Sequence, residues 1–370
     1  MVTAGDTARF TTVVTEASPT TGMSTDIVST EGSERAAGSG TVVAGVDLGD
    51  QQLADVVRDG LHRVEELLVS ELSDGEDFLT EAALHLAKAG GKRFRPLFTV
   101  LTAQLGPKAS DPAVVTAATV VELVHLATLY HDDVMDEATM RRGAPSANAR
   151  WGNSIAILAG DYLFAHASRL VSTLGPDAVR IIAETFAELV TGQMRETIGV
   201  KEQQDPVDHY LKVVWEKTGS LIAASGRFGG TFSGADADQI ERLERLGDAV
   251  GIAFQISDDI IDISSVSDQS GKTPGTDLRE GVHTLPVLYA LCEEGADADR
   301  LRELLDGPVT DDAEIAESLA LLERSPGMAA AKAKLGEYAD RARAELAQLP
   351  QGPANEALLR LVEYTIERVG

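Results

Sequence analysis

The sequence predicts an all-α fold of about a dozen helices in a single domain, and three observations carry that reading. Apolar residues recur at helical spacing from Leu53, as at Val56, Val57, Leu61, Val64, Leu67 and Leu68, and this period persists through most of the 370 residues. Alternation of β-branched residues bounded by hairpin turns is nearly absent. Breaks fall at Gly90-Gly91, Leu105-Gly106-Pro107, Leu174-Gly175-Pro176, Gly234, residues 271–275, Gly307-Pro308 and Gly352-Pro353, and none is rich or long enough to divide the chain.

Residues 1–47 are rich in Thr, Ser, Gly, Ala and Val, with Phe10 as their only aromatic, and read as a disordered extension ahead of a folded domain over 48–370. Gly90-Gly91-Lys92-Arg93-Phe94-Arg95-Pro96 reads as a loop that lets backbone approach a ligand, with Pro96 at the start of the next helix. Residues 113–130 are apolar almost all round, as expected of a central helix buried in a bundle. That helix ends in Asp132-Asp133-Val134-Met135-Asp136, and Arg141-Arg142-Gly143 follows closely. Residues 247–256 form a second helix of low charge ending in Asp258-Asp259-Ile260-Ile261-Asp262. Beyond about residue 290 the helices are charged and amphipathic, and read as scaffold.

The repeated carboxylate arrangement is the most informative feature. In each set the first and last Asp are four residues apart and share a helix face. Each therefore offers hard oxygen ligands suited to Mg²⁺ bound together with substrate phosphates. Carboxylates beside apolar runs are costly to bury unless positive charge offsets them, which metal ions bridging a diphosphate would supply. Lys92, Arg93, Arg95, Arg141, Arg142, Lys217 beside Thr218, and Lys272 are the candidate phosphate contacts. Two carboxylate sets and two groups of cations imply two phosphorylated substrates in one pocket.

Composition narrows the alternatives. Subtracting 59 acidic from 32 basic residues leaves a net charge of −27, which repels polyanions, and aromatics are only 5%, so nucleic acid is not an expected partner. Residues 113–130, the best membrane candidate, are interrupted by Glu122 and His125, so stable membrane insertion is not expected. The start of the chain has no basic and apolar leader pattern. Cys292 is the only cysteine, which suits a reducing cytoplasm and reads as a small buried hydrophobe. No P-loop, dinucleotide fingerprint, HExxH or Ser-His-Asp pattern is present.

These residues resemble the trans-isoprenyl diphosphate synthase (polyprenyl synthetase) family. Gly91 to Pro96 is similar to its GKRxRP stretch, Asp132 to Asp136 to its first aspartate-rich motif, and Phe254-Gln255 with Asp258, Asp259 and Asp262 to its second. Gly152-Asn153, Gly160-Asp161-Tyr162-Leu163 and Gly271-Lys272 through Thr284-Leu285-Pro286 also fit, so the resemblance runs from about Leu53 onward. It implies an isoprenoid-synthase-like bundle of antiparallel helices around a deep apolar cavity, as a homodimer. It also implies consecutive trans condensation of isopentenyl diphosphate with an allylic diphosphate. Asp132, Asp133, Asp136 and Asp258 would then hold Mg²⁺, with Asp259 and Asp262 supporting them. Arg141, Lys217 and Lys272 would contact the allylic diphosphate. Lys92, Arg95, His125 and Arg142 would hold isopentenyl diphosphate, and Thr218 and Gln255 would stabilise the allylic cation. Val282 departs from the pattern, standing where the family commonly has Lys.

Short-chain members of the family tend to place a bulky aromatic four or five residues before the first Asp, where this chain has Thr128 and Ala127. Val124, one turn further, is not aromatic either. A turn rises about 5.4 Å, comparable to one isoprene unit, so an open floor predicts a long product of about C30 to C50, of the kind used for a quinone tail. A short-chain synthase (C15 to C20) is the alternative, followed by a class I terpene cyclase and a regulatory subunit of a heteromeric prenyltransferase.

Overall fold

Helix α1 (Gln51–Leu72) starts where the Asp50 side chain accepts from the Leu53 N–H at 2.7 Å, an N-cap that satisfies one of the first turn's orphan donors. The computed structural model describes residues 40–73, 77–264 and 274–369. All of them fall in one unit, Ser39–Gly370. Residues 1–39 of the expected disordered extension, and Lys272, lie outside the described residues. The described part begins earlier than the sequence suggests. β1 (Val42–Val43) pairs antiparallel with β2 (Val46–Asp47), and Val43, Val46 and Leu48 are buried. A two-residue turn with positive φ at Ala44 and Gly45 closes this hairpin, which is too short for its alternation to be seen.

From there the chain is helical: α2 (Asp77–Lys88), α3 (Phe94–Ala103), α4 (Pro112–Met135), α5 (Ala147–Trp151), α6 (Asn153–Ser172), α7 (Pro176–Ile198) and α8 (Pro206–Val214). A π-helical turn, Trp215–Gly219, leads into α9 (Ser220–Ser233) and α10 (Ala237–Ser264). The remainder is α11 (Thr276–Glu280), α12 (Leu285–Leu291), α13 (Ala296–Leu304), α14 (Asp312–Arg324), α15 (Pro326–Leu346) and α16 (Pro353–Glu367). A second hairpin, β3 (Met140–Arg141) with β4 (Ala144–Pro145), interrupts the helices after α4.

The expected central helix is α4. It packs against α1, α3, α6 and α9, and its core-facing residues, Val120, Leu123, Val124, Leu126 and Ala127, are fully or almost fully buried. By length and composition α4 could cross a membrane, contrary to the sequence expectation, but 72% of its most apolar stretch is buried inside this fold. Tyr130 ties α4 to α2, donating to the Ala82 carbonyl at 2.5 Å and accepting from the Leu86 N–H at 3.2 Å. Helix α9 packs against both α4 and α10 and so bridges the two helices that carry the Asp sets. Glycines permit the close α9–α10 approach: a Cβ on Gly251 would lie 2.7 Å from the Cα of Gly219, in the π turn. Cys292 is exposed rather than buried, because it ends α12 instead of facing the core.

Candidate active site

Both aspartate sets line one cavity of about 870 Å³. Asp132 and Asp136 reach it from the end of α4, and Asp258, Asp259 and Asp262 from the end of α10. Lys92 and Arg95 at the start of α3, His125 and Thr128 on α4, Arg141 and Arg142 on the β3–β4 hairpin, Lys217 and Thr218 in the π turn, and Gln255 on α10 complete it. Nearly all the residues singled out by sequence are therefore brought together. Among the described residues Asp133, Val124 and Ala127 are the exceptions.

Asp133 is fully buried and turned away from the cavity, where its Oδ1 accepts from Arg141 Nε at 2.6 Å. Its Oδ2 is buried without a partner. Val124 and Ala127 are sealed in the core and line neither this cavity nor the apolar one beside it, so the open floor expected from Ala127 and Val124 does not lie at those residues. An apolar cavity of about 410 Å³ starts instead at Thr128 and Asp132 and runs between α4, α6 and α7, walled by Val134, Ile157, Phe186, Leu189 and Met194. Thr128, Asp132 and Lys217 line both cavities. Phe164 stacks on Phe186, which lines this cavity, with centroids 4.0 Å apart.

The cationic end is built around two strained backbones. Arg93 and Arg142 have φ of 48° and 54°, in the left-handed region that non-glycine residues rarely occupy. Arg93 is locked by Glu65 at 2.9 Å and by the buried Glu122 at 3.0 Å, so it acts as a strut for the loop. Arg142 occupies the tight turn of the β3–β4 hairpin together with Gly143 and donates to the Gly90 carbonyl at 2.5 Å. Gly91 has φ of 140°, a backbone conformation that residues with a side chain rarely adopt, which explains why the loop needs glycine there. Arg142 Nη2 lies 3.5 Å from His125 Nε2, which must accept because guanidinium only donates. Burial, and then Arg95 and Arg142, hold His125 well below its ordinary pKa, so it is neutral. Arg95 is pushed down to about 10 by burial, and its Nε has no partner. A buried cation with an unmet donor is a site prepared for an anion.

At the carboxylate end, burial raises Asp132 to about 6, with Lys217 acting in the opposite direction. Asp259 is raised to about 7 by burial, against hydrogen bonds from Tyr210 and Gln255 that favour its charged form. Tyr210 donates to Asp259 Oδ2, Gln255 Nε2 donates to Asp259 Oδ1 at 2.8 Å, and Thr218 donates to Gln255 Oε1 at 3.2 Å. Asp262 directs its carboxylate to the backbone N–H groups of Thr276 and Asp277, each at 3.2 Å, and so holds the start of α11. Lys217 pairs with Glu196 on α7, and the π turn is fixed by Arg195 Nε on the buried Glu216 at 2.7 Å. Val282 is partly exposed and does not line the cavity, whereas the nearby Glu280 does.

Among the described residues no group of three or more His, Cys, Asp or Glu side chains is drawn close enough to chelate a metal unaided. The donors nonetheless fit a divalent cation shared with substrate phosphate. They are all oxygen, and burial raises both Asp132 and Asp259, so that a cation would favour their charged forms. Sequence reasoning missed Tyr210, Glu196, Arg195 and Arg368, which reach the site residues from distant helices and carry no local motif.

The polyprenyl synthetase family model matches residues 76–322. The chain is 66% identical over 330 residues to the nonaprenyl diphosphate synthase of Mycobacterium tuberculosis, covering 89% of this chain and 98% of that protein. A crystal structure of geranylgeranyl pyrophosphate synthase from Corynebacterium glutamicum, complexed with calcium and isoprenyl diphosphate, superposes with a TM-score of 0.79 at 53% identity, over 87% of this chain and 99% of that one. A decaprenyl diphosphate synthase from Rhodobacter capsulatus gives a TM-score of 0.78 at 34% identity, over 86% and 99%.

Proposed function

Because this chain belongs to the polyprenyl synthetase family, we propose that it condenses isopentenyl diphosphate repeatedly, in trans geometry, onto an allylic diphosphate to make a long-chain polyprenyl diphosphate. The observation that carries this is one cavity with two opposed ends: an arginine cluster with an unmet buried donor, and two carboxylate sets that need a cation. A single diphosphate would account for only one of them.

Lys92, Arg95, His125 and Arg142 bind isopentenyl diphosphate in this reading, with His125 donating as a neutral imidazole. Asp132, Asp136 and Asp258, supported by Asp259 and Asp262, would hold Mg²⁺ for the allylic diphosphate, and Asp133 contributes by fixing Arg141. When bound, Mg²⁺ supplies the positive charge that lets diphosphate depart. Arg141, Lys217 and Lys272 contact the same diphosphate. The Thr218–Gln255–Asp259 chain aims two dipoles at the reacting carbons, where an allylic cation develops. The rings of Phe94 and Phe254, 4.8 Å apart, and the apolar side of α4 keep water away. The double bond of isopentenyl diphosphate then attacks, and a proton is lost to the released diphosphate. No side-chain nucleophile is needed.

Product length rests on the apolar cavity beside Thr128 and on the nonaprenyl synthase relative, and supports about C30 to C50. The likeness to a geranylgeranyl synthase keeps a C20 product as the second reading. Homodimer formation is supported by exposed apolar residues on α6 and α7, namely Leu158, Met194 and Ile198. The buried position of α4 and the absence of a second cysteine support a cytoplasmic protein that is not inserted in a membrane. Incorporation of labelled isopentenyl diphosphate by the purified chain with Mg²⁺ and an allylic primer tests the reaction. No incorporation would contradict it.

A further inference from the structure

We propose that Arg368, in the turn after α16, is a positioning residue that holds Asp258 in the metal-free enzyme and must release that carboxylate when metal binds. The inference rests on the reading of Asp258 as a metal ligand and adds to it a competitor built into the chain.

Arg368 Nη1 lies 2.8 Å from Asp258 Oδ1, with Arg368 only 12% exposed. Its other two nitrogens are engaged elsewhere. Nε donates to Ser257 Oγ at 2.7 Å, Nη2 donates to the Phe254 carbonyl at 2.8 Å, and the guanidinium sits 4.3 Å from the centroid of the Phe254 ring. Ser257 is fully buried and does not line the cavity, and the Phe254 carbonyl belongs to the backbone of α10, so the proposal leaves these partners in place. Only the Nη1 contact goes to a carboxylate that lines the substrate cavity. A guanidinium fork anchored at two points presents its third donor with little further loss of side-chain entropy. Exposed ion pairs contribute little because both side chains must be ordered to form them, and here the ordering is already done. Arg368 therefore occupies, as a cation, one of the positions a divalent ion would take on Asp258.

The same helix face reaches the other substrate pocket. Tyr364, four residues earlier and on the same face, accepts from Lys92 Nζ at 3.3 Å. The end of α16 thus touches a cation of one pocket and a carboxylate of the other.

The test is a titration of Mn²⁺ into the metal-free protein, with and without inorganic diphosphate, read by electron paramagnetic resonance of the free ion. Arg368→Gln is expected to bind Mn²⁺ about five- to ten-fold more tightly than the wild type, the size of one charge-assisted hydrogen bond removed from competition. Equal or weaker binding would overturn the proposal. Should that variant fail to fold, Arg368→Lys, which cannot keep the anchoring fork and reach Asp258 together, is expected to bind about two-fold more tightly. Asp258→Asn separates the two levels. If it leaves Mn²⁺ binding intact, Asp258 is not a ligand and both readings fall. Binding that is sensitive to Asp258→Asn but blind to Arg368→Gln overturns the competitor alone.

Discussion

Arg95 and Asp259 show how single buried groups reveal the chemistry of this cavity. Arg95 keeps a buried Nε with no acceptor, a cost the fold carries without structural return unless an anion arrives. Replacing it with Gln should raise KM for isopentenyl diphosphate by about 100-fold, the value of two charge-assisted hydrogen bonds, and leave KM for the allylic substrate nearly unchanged. Steady-state kinetics with each substrate varied separately checks this. Asp259 is raised to about 7 by burial. Under the proposed role of Asp259 in supporting the metal ligands, its charged form is lost as pH falls through about 7, so metal affinity should weaken between about pH 8 and 6. Tyr210 donates to Asp259 and favours the charged form. Tyr210→Phe should therefore move this fall to higher pH, as Mn²⁺ titrations at several pH values would show.

Helix ends and helix contacts decide where these groups point. A Cβ at Gly251 would press within 2.7 Å of the Gly219 backbone, so Gly251→Ala should destabilise the fold by about 1–3 kcal/mol and displace Thr218 from Gln255. Chemical denaturation together with kcat reads both effects. Helix α4 makes a comparable distinction between neighbours. Thr128→Phe intrudes into the apolar cavity and should shorten the product to about C15 or C20, whereas Ala127→Phe overpacks a sealed core and should cost about 1–3 kcal/mol before it affects length. The two Asp sets, the GKRxRP loop and the central helix were legible in the sequence because each is local: a spacing of four, a pair of glycines, an unbroken apolar run. Which of Thr128 and Ala127 faces the cavity was not, since helical period alone does not say where the neighbouring helices lie. Tyr210 lies 49 residues from Asp259 and Arg368 lies 111 from Ser257, so neither leaves a local signal. The two short hairpins and the π turn were hidden for a related reason, since strands of two residues and a five-residue π turn have no period to detect.

Across the whole molecule a net charge of −27 surrounds a pocket that must collect two diphosphates. Local cations do that work against the global field, so raising ionic strength should not impair substrate capture as it would for an electrostatically steered enzyme. The apolar cavity between α4, α6 and α7 is where a growing chain would go in the proposed reaction. The most direct measurement is product analysis of the purified protein with Mg²⁺, labelled isopentenyl diphosphate and a farnesyl or geranylgeranyl primer. A ladder ending between about C30 and C50 is expected from the open apolar cavity beside Thr128. A product that stops at C15 or C20 would contradict it.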